Sequence, residues 1–313
     1  MNISRRDLVQ NLAQCAAGAL TAGAVSSVAL PDAVLAEETK ELPQTAVGML
    51  YDATRCVGCQ SCVSACAQAN NLSPDTRLDP LHQSPRDLND DTKNVIKLYK
   101  PVDGQPYSFV KQQCMHCADP ACVACCMFKA LKKEAGTGIV TWNPGLCVGC
   151  RYCEIVCPYH IPKFQWHGVN PRIVKCEFCK DRLAHGNDPA CTSVCPTQAV
   201  VFGKRANLLR EAKLRIAGKP HKYYQDRVFG EHEGGGTQVL YLTRVPFDKL
   251  GLPALENESI PAKYLKWQKR IYTCLIAPAF LYAGMVAVLR KNWKHREAES
   301  KEEEKSTGLR PQL

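Results

Sequence analysis

Apolar and polar positions follow three different rhythms along this chain. Short runs rich in β-branched and aromatic residues recur at Met49–Asp52, Val95–Tyr99, Tyr107–Val110, Ile139–Trp142 and Ala199–Phe202, and each predicts a strand. Asp103-Gly104 and Gly136-Thr137-Gly138 supply turns between them. From Ala206 to Ala217 the rhythm turns helical, with Leu208, Leu209, Ala212 and Ile216 on one face, and Gly218 and Pro220 stop the helix. Gly234-Gly235-Gly236 leads into a further strand, Thr237–Val245. It lacks the strand-to-helix setting of a nucleotide-binding glycine loop and is expected to be a turn. Asn71–Asp91 is polar and carries Pro74, Pro80 and Pro85, the composition of a surface insertion.

The third rhythm is unbroken apolarity, and it marks both ends. Ile271–Leu289 is 19 residues without a charge. As a helix it would reach about 28 Å, close to the hydrocarbon thickness of a bilayer. Lys263, Lys266, Lys269 and Arg270 precede it, Arg290, Lys291, Lys294 and Arg296 follow, and Tyr264, Trp267 and Trp293 are placed as interfacial anchors. Pro278 is tolerable in such a helix. At the other end Ser4-Arg5-Arg6-Asp7-Leu8 opens a stretch that is acid-free from Leu8 to Pro31 and weakly apolar from Leu12 to Leu30, and Val34-Leu35-Ala36 follows it. This has the form of a twin-arginine export signal with a cleavage site before Glu37. The expected organisation is a signal at 1–36, a main domain at 37–203, an extension at 204–262, a transmembrane anchor at 263–290 and a charged tail at 291–313. Export would put the main domain on the periplasmic face of the inner membrane and the tail in the cytoplasm.

The chain has 313 residues, 19 of them Cys, and a formal net charge of +10. Such length and apolar content suit a packed core better than a small disulfide scaffold. A basic balance suggests nucleic acid or an anionic membrane surface. No basic–aromatic repeat accompanies it, so a nucleic-acid partner is not expected. Thiolates bound to iron supply another reason, because cationic side chains would then offset buried negative charge.

Sixteen of the cysteines fall into four groups. The first is Cys56-x2-Cys59-x2-Cys62-x3-Cys66. The third, Cys147-x2-Cys150-x2-Cys153-x3-Cys157, repeats it and adds Pro158. The second is Cys114-x2-Cys117-x4-Cys122-x3-Cys126, and the fourth Cys176-x2-Cys179-x11-Cys191-x3-Cys195, followed by Pro196. Each opens with Cys-x2-Cys and closes with Cys-x3-Cys, an internal repeat of multiplicity four. The run of x2, x2 and x3 before proline is the bacterial ferredoxin signature. Three cysteines on a tight loop present sulfurs to three irons of a cubane. The fourth, expected at the start of the following helix with proline in its first turn, serves a neighbouring cluster. Structural zinc pairs two Cys-x2-Cys knuckles across a longer gap and suits these spacings poorly. No Cys-x2-Cys-His is present for covalent haem. Four [4Fe–4S] clusters are the expected cofactors. A twin-arginine signal agrees, because that route exports proteins already folded around their metal. One irregularity is Cys125-Cys126-Met127: the x3 spacing selects Cys126 as the ligand, with Cys125 a small neighbour or a spare.

These motifs, together with the two ends, resemble the four-cluster iron–sulfur subunits of membrane respiratory oxidoreductases. GMLYDATRCVGCQSC, KQQCMHCADPAC, CVGCRYCEIVCPY, AVVFGKRANLL and above all GGGTQVLYLTRVPF look like the hydrogenase-2 type within that family. The resemblance implies an α+β fold, a duplicated ferredoxin-like domain. It also implies that the motifs pair first with fourth and second with third. Carried onto this chain, one cluster takes Cys56, Cys59, Cys62 and Cys195. A second takes Cys176, Cys179, Cys191 and Cys66. A third takes Cys114, Cys117, Cys122 and Cys157, and the last Cys147, Cys150, Cys153 and Cys126. The implied role is electron transfer, not catalysis, between a [NiFe] hydrogenase and an integral membrane quinone-reducing subunit. The runner-up partner is a molybdopterin catalytic subunit, such as a formate dehydrogenase or a tetrathionate, sulfite or nitrite reductase. A stand-alone redox enzyme is disfavoured because every motif carries four ligands and leaves no open iron.

Overall fold

A computed structural model describes residues 42–73, 87–101, 107–166 and 172–307. The export signal at 1–36, most of the proline-rich insertion, the Asp103-Gly104 turn and the last residues of the tail lie outside the described residues.

The organising element is β1 (Val47–Asp52), the centre of a three-stranded sheet. It pairs antiparallel with β8 (Val200–Lys204), Met49 opposite Phe202, and parallel with β9 (Val239–Leu242), Met49 opposite Val239. Its sequence is nearly all apolar because both faces are covered. Met49, Tyr51, Val239 and Tyr241 point into the main core, which holds eight of the cysteines. Leu50, Leu240 and Leu242 point the other way, onto Leu208 and Ala212 of helix α6 (Arg205–Gly218). Period-two alternation therefore divides one strand between two cores. Arg215 fastens α6 to the sheet through a 3.3 Å ion pair to the fully buried Asp52, which also accepts from Tyr223 at 3.2 Å and from Thr54 at 2.6 Å.

Three antiparallel hairpins surround the sheet: β2 (Asn94–Tyr99) with β3 (Ser108–Gln113), β4 (Leu131–Lys133) with β5 (Val140–Trp142), and β6 (Lys163–Phe164) with β7 (Ile173–Val174). Short helices carry the motifs: α1 (Ser61–Ala69), α2 (Ala121–Ala124), α3 (Tyr152–Ile155), α4 (Lys180–Ala184) and α5 (Ala190–Ser193). Helix α1 packs on α5, and α2 on α3.

The strands and α6 lie where the patterning predicted them, within one to three residues. The expected strand Thr237–Val245 is shorter, because its first two residues are drawn to the second motif. The backbone N–H groups of Gln238 and Val239 donate to Met115 O at 3.1 and 3.2 Å, and the buried Gln238 amide donates to Thr137 O at 2.8 Å and to Val47 O. Gly48 allows this approach, since a Cβ there would sit 2.6 Å from Gln238 O. The triple glycine is a turn as predicted, all three residues having positive φ.

The last helix, α7 (Ile260–Thr307), starts at Ser259, whose hydroxyl accepts from Ala262 N at 3.2 Å and donates to Asp119 at 2.7 Å. It contains Pro278 and exposes Ile271, Leu275, Phe280, Leu281, Val288 and Leu289. The expected transmembrane anchor requires correction here: among the described residues no helix is long and apolar enough to cross a membrane. The side chains of 273, 274, 276 and 277 lie outside the described residues.

Candidate iron–sulfur sites

The fourfold repeat seen in the cysteines is also a repeat of backbone shape. The second residue after each motif's first cysteine has positive φ: Gly58 (71°), His116 (48°), Gly149 (74°) and Phe178 (52°). Left-handed backbone turns the loop so that successive sulfurs face the same side. Two motifs use glycine, which is free to adopt it, and two bear the cost of a bulky residue. Those two, His116 and Phe178, stack on each other with ring centroids 3.9 Å apart. In every motif the third cysteine (Cys62, Cys122, Cys153 and Cys191) is the second residue of its helix. Three residues beyond the last cysteine the chain turns left-handed again at Lys129, His160 and Gln198. The first motif departs, because α1 runs on through Cys66 and turns at Asn71. One expectation needs revision. The third cysteine, not the fourth, opens the helix, and Pro158 and Pro196 lie past the helix ends. There they act as stops, not as first-turn residues.

The helix pairings bring the sulfurs together across motifs. Burial pushes the Cys62 thiol up to about 12; Lys111 opposes this, and Cys191, Cys56 and Cys59 reinforce it. Cys195 is a further electrostatic neighbour of Cys56. Burial likewise raises Cys66 to about 12, with Cys176, Cys191 and Cys179 around it. Cys122 is raised by burial, then by Cys114, Cys117 and Cys157. Cys153 is raised to about 12 by burial, then by Cys125, Cys147, Cys150 and Cys126. Those same five residues line one apolar cavity of about 350 Å³, its mouth included, walled by Leu131 and Phe164. Cys195 alone moves the other way: burial raises it, but hydrogen bonds from the Val200 backbone and the Thr197 hydroxyl, among others, outweigh that and lower it.

Four neighbourhoods result, which we call the Cys56, Cys176, Cys114 and Cys147 groups. They follow one another in that order. Cys62 is an electrostatic neighbour of Cys191 at the first junction, Cys114 of Cys176 at the second, and Cys125 of Cys157 at the third. Cys59 and Cys150, in the two terminal groups, are the exposed cysteines among those described; the rest are buried or half-buried. Among the described residues no three His, Cys, Asp or Glu side chains gather as tightly as one metal ion requires. A cubane makes no such demand, because each cysteine meets a different iron. Cys125 is not separated from Cys126: both lie in the Cys147 neighbourhood, and the Cys125 thiol donates to Cys122 O at 3.4 Å.

Other side chains fit an anionic guest. Lys111 is 1% exposed and donates to Gln113; Lys175 is 2% exposed and donates to Val140 O and, at 3.0 Å, to Cys176 O. Among the described residues neither has a carboxylate partner. A buried ammonium without a counter-charge costs several kcal/mol, about as much as a protein tolerates, so an anion is implied beside each. The fully buried His116 accepts from Val140 N at Nδ1 (3.0 Å), which puts its proton on Nε2, and that donor has no partner in the protein. Burial, then Lys175 and Lys133, hold its pKa well below the ordinary value, so it is neutral. The buried Trp142 Nε1 is likewise unpaired. Unpaired buried donors cost about 1–3 kcal/mol each, and thiolate or sulfide sulfur would accept from them. The sequence offered a signal for the lysines: each follows a short apolar pair, Phe109-Val110 or Ile173-Val174, just ahead of two cysteines, where a solvated residue is out of place.

The comparisons with known proteins agree. A 4Fe–4S dicluster domain family matches residues 105–205. The hydrogenase-2 operon protein HybA of Escherichia coli O157:H7 is 37% identical over 94% of this chain and 97% of its own. The formate dehydrogenase-O iron-sulfur subunit of Escherichia coli K12 is 32% identical over 76% of this chain and 80% of its own. The chain belongs to the HybA family of ferredoxin-type iron–sulfur proteins, electron-transfer subunits of oxidoreductase complexes that are not themselves the catalytic subunits.

Proposed function

We propose that this chain holds four [4Fe–4S] clusters and links a periplasmic [NiFe] hydrogenase to a quinone-reducing membrane subunit. When bound, each cluster supplies a one-electron redox step. The observation that carries the reading is the serial order of the cysteine neighbourhoods, buried or half-buried in the middle and exposed at Cys59 and Cys150 in the end groups. That arrangement suits a relay with an entry and an exit. The ligand sets read from the resemblance agree with it: Cys56, Cys59, Cys62 and Cys195; Cys176, Cys179, Cys191 and Cys66; Cys114, Cys117, Cys122 and Cys157; Cys147, Cys150, Cys153 and Cys126. Likeness to HybA over nearly the whole chain supports the hydrogenase as partner. Likeness to a formate dehydrogenase subunit supports the second reading, a molybdopterin catalytic partner.

The same reading puts the mature domain on the outer face of the inner membrane, exported through Arg5 and Arg6. The exposed apolar run 271–289 would be its docking surface for the quinone-reducing subunit. Iron and acid-labile sulfide analysis of anaerobically purified protein, with identification of subunits retained after mild detergent extraction, tests the proposal. About sixteen irons per chain are expected from four cubanes, together with hydrogenase subunits. Stoichiometric zinc without sulfide would refute the cofactor. A molybdopterin chain in place of hydrogenase would select the second reading.

A further inference from the structure

Lys111 and Lys175 occupy successive junctions between cysteine groups. The Lys111 ammonium acts on Cys191, Cys176 and Cys66 of the Cys176 group and on Cys62 of the Cys56 group. The Lys175 ammonium acts on Cys114, Cys122 and Cys157 of the Cys114 group and on Cys176 of its neighbour. Both are all but inaccessible to water, and both are held by uncharged oxygens: Gln113 for Lys111, the carbonyls of Val140 and Cys176 for Lys175. The Lys111 carbonyl is itself fixed by the Tyr241 hydroxyl at 2.5 Å. Their charges are therefore unscreened, fixed in place, and shared between the members of a pair.

We propose that Lys111 and Lys175 are bridging cations that set the reduction potentials of adjacent clusters in pairs, Lys111 for the Cys56 and Cys176 groups and Lys175 for the Cys176 and Cys114 groups. Adding an electron to a cluster makes its surroundings more negative, and a fixed cation nearby stabilises that state. A cation between two clusters raises both potentials. Of the four, the Cys176 group alone is lifted by both Lys111 and Lys175. The Cys147 group has neither, and in the serial order it stands apart as the one whose potential these residues leave alone. This inference rests on the cluster reading above.

The test is an EPR-monitored redox titration of the full-length, cluster-loaded protein as wild type, Lys111→Met, Lys111→Arg and Lys175→Met, each with iron and sulfide analysis. Lys111→Met should make reduction of two clusters at least tenfold less favourable, a fall of about 59 mV for a one-electron couple. Lys175→Met should do the same to two clusters. One cluster should be common to both variants, and one should move in neither. Lys111→Arg, which keeps the charge, should stay near wild type. Unmoved potentials at full iron content, a uniform shift of all four, or shifts in two pairs with no member in common would overturn the proposal. If Lys111→Met loses iron, loss confined to two clusters and restored by Lys111→Arg supports it, and loss of all four that Lys111→Arg does not restore overturns it. Wild-type protein without iron and sulfide would instead refute the cofactor reading, a distinguishable result.

Discussion

Gly58, in the first motif's loop, offers a direct test of how the fold shapes a cysteine site. Its φ of 71° lies in the left-handed region, and a Cβ built there falls under 3.0 Å from the ring of Phe109, on β3. Gly58→Ala therefore incurs two separable costs. The left-handed backbone costs an L-residue about 1–2 kcal/mol. Forcing the half-buried Phe109 aside, against the core it packs on, adds about 1–3 kcal/mol. Together these come to about 2–5 kcal/mol, enough to lower the midpoint of thermal cluster bleaching by several degrees. The assay is that bleaching, followed at the sulfur-to-iron charge-transfer band and paired with iron content before heating. A double-mutant cycle separates the costs: Phe109→Ala should relieve the steric part of Gly58→Ala and leave the backbone part in place. An alanine at 58 as stable as glycine, or a defect that Phe109→Ala fails to reduce, would refute this account of the loop.

The other predictions address single features. Cys125→Ala should keep all clusters and Cys126→Ala should lose or convert one, as read by iron content and EPR; the reverse would show that the chain uses the neighbouring thiol. Arg215→Ala leaves the buried Asp52 with only its Tyr223 and Thr54 partners, and should lower stability by about 1–3 kcal/mol without changing iron content. Replacing Arg5 and Arg6 by Lys should hold the protein in the cytoplasm, and normal delivery of that variant, assayed by fractionation, would remove the export reading. Truncation before Lys263 should preserve the clusters and abolish hydrogen-dependent quinone reduction in membranes; full activity would make the apolar run dispensable.

What could be read from the chain depended on how local the physics was. The cysteine motifs are local: three sulfurs on one loop demand fixed spacings, so those spacings survive as a pattern. The strands on either side of them are local too, and β1, β2, β5 and β8 appear where short apolar runs predicted them. The order of events inside a motif was not legible. Spacing alone gives no sign that Cys62, Cys122, Cys153 and Cys191 each sit second in a helix, because a four-residue helix carries no periodicity. Helix β-hairpin partners β4, β6 and β7 escaped for a similar reason, being only two or three residues long. The pairing of first motif with fourth came from resemblance. In the structure it is a matter of α1 meeting α5 across more than a hundred residues, a contact to which no local pattern corresponds.

The lysines show the same limit from the electrostatic side. A net charge of +10 suggested that cations offset buried negative charge, but composition cannot say which of the 40 basic residues do so. Most of those among the described residues are on the surface, where screening leaves an isolated charge little influence over a cluster. Influence requires burial, and burial of an ammonium requires an anion that does not move away. Lys111 meets this condition because β3 alternates against β2 in a register that places its side chain inward, among cysteines from the first and fourth motifs. Lys175 meets it because β7 delivers the chain straight into Cys176. The strands that support the motif loops thus also position the charges between them, and a one-residue slip in the β2–β3 hairpin would carry Lys111 to the opposite face. Hairpin register is in this sense a determinant of redox behaviour: a variant that shifts the β2–β3 pairing should change the potentials of the same two clusters as Lys111→Met, even though it alters no cysteine.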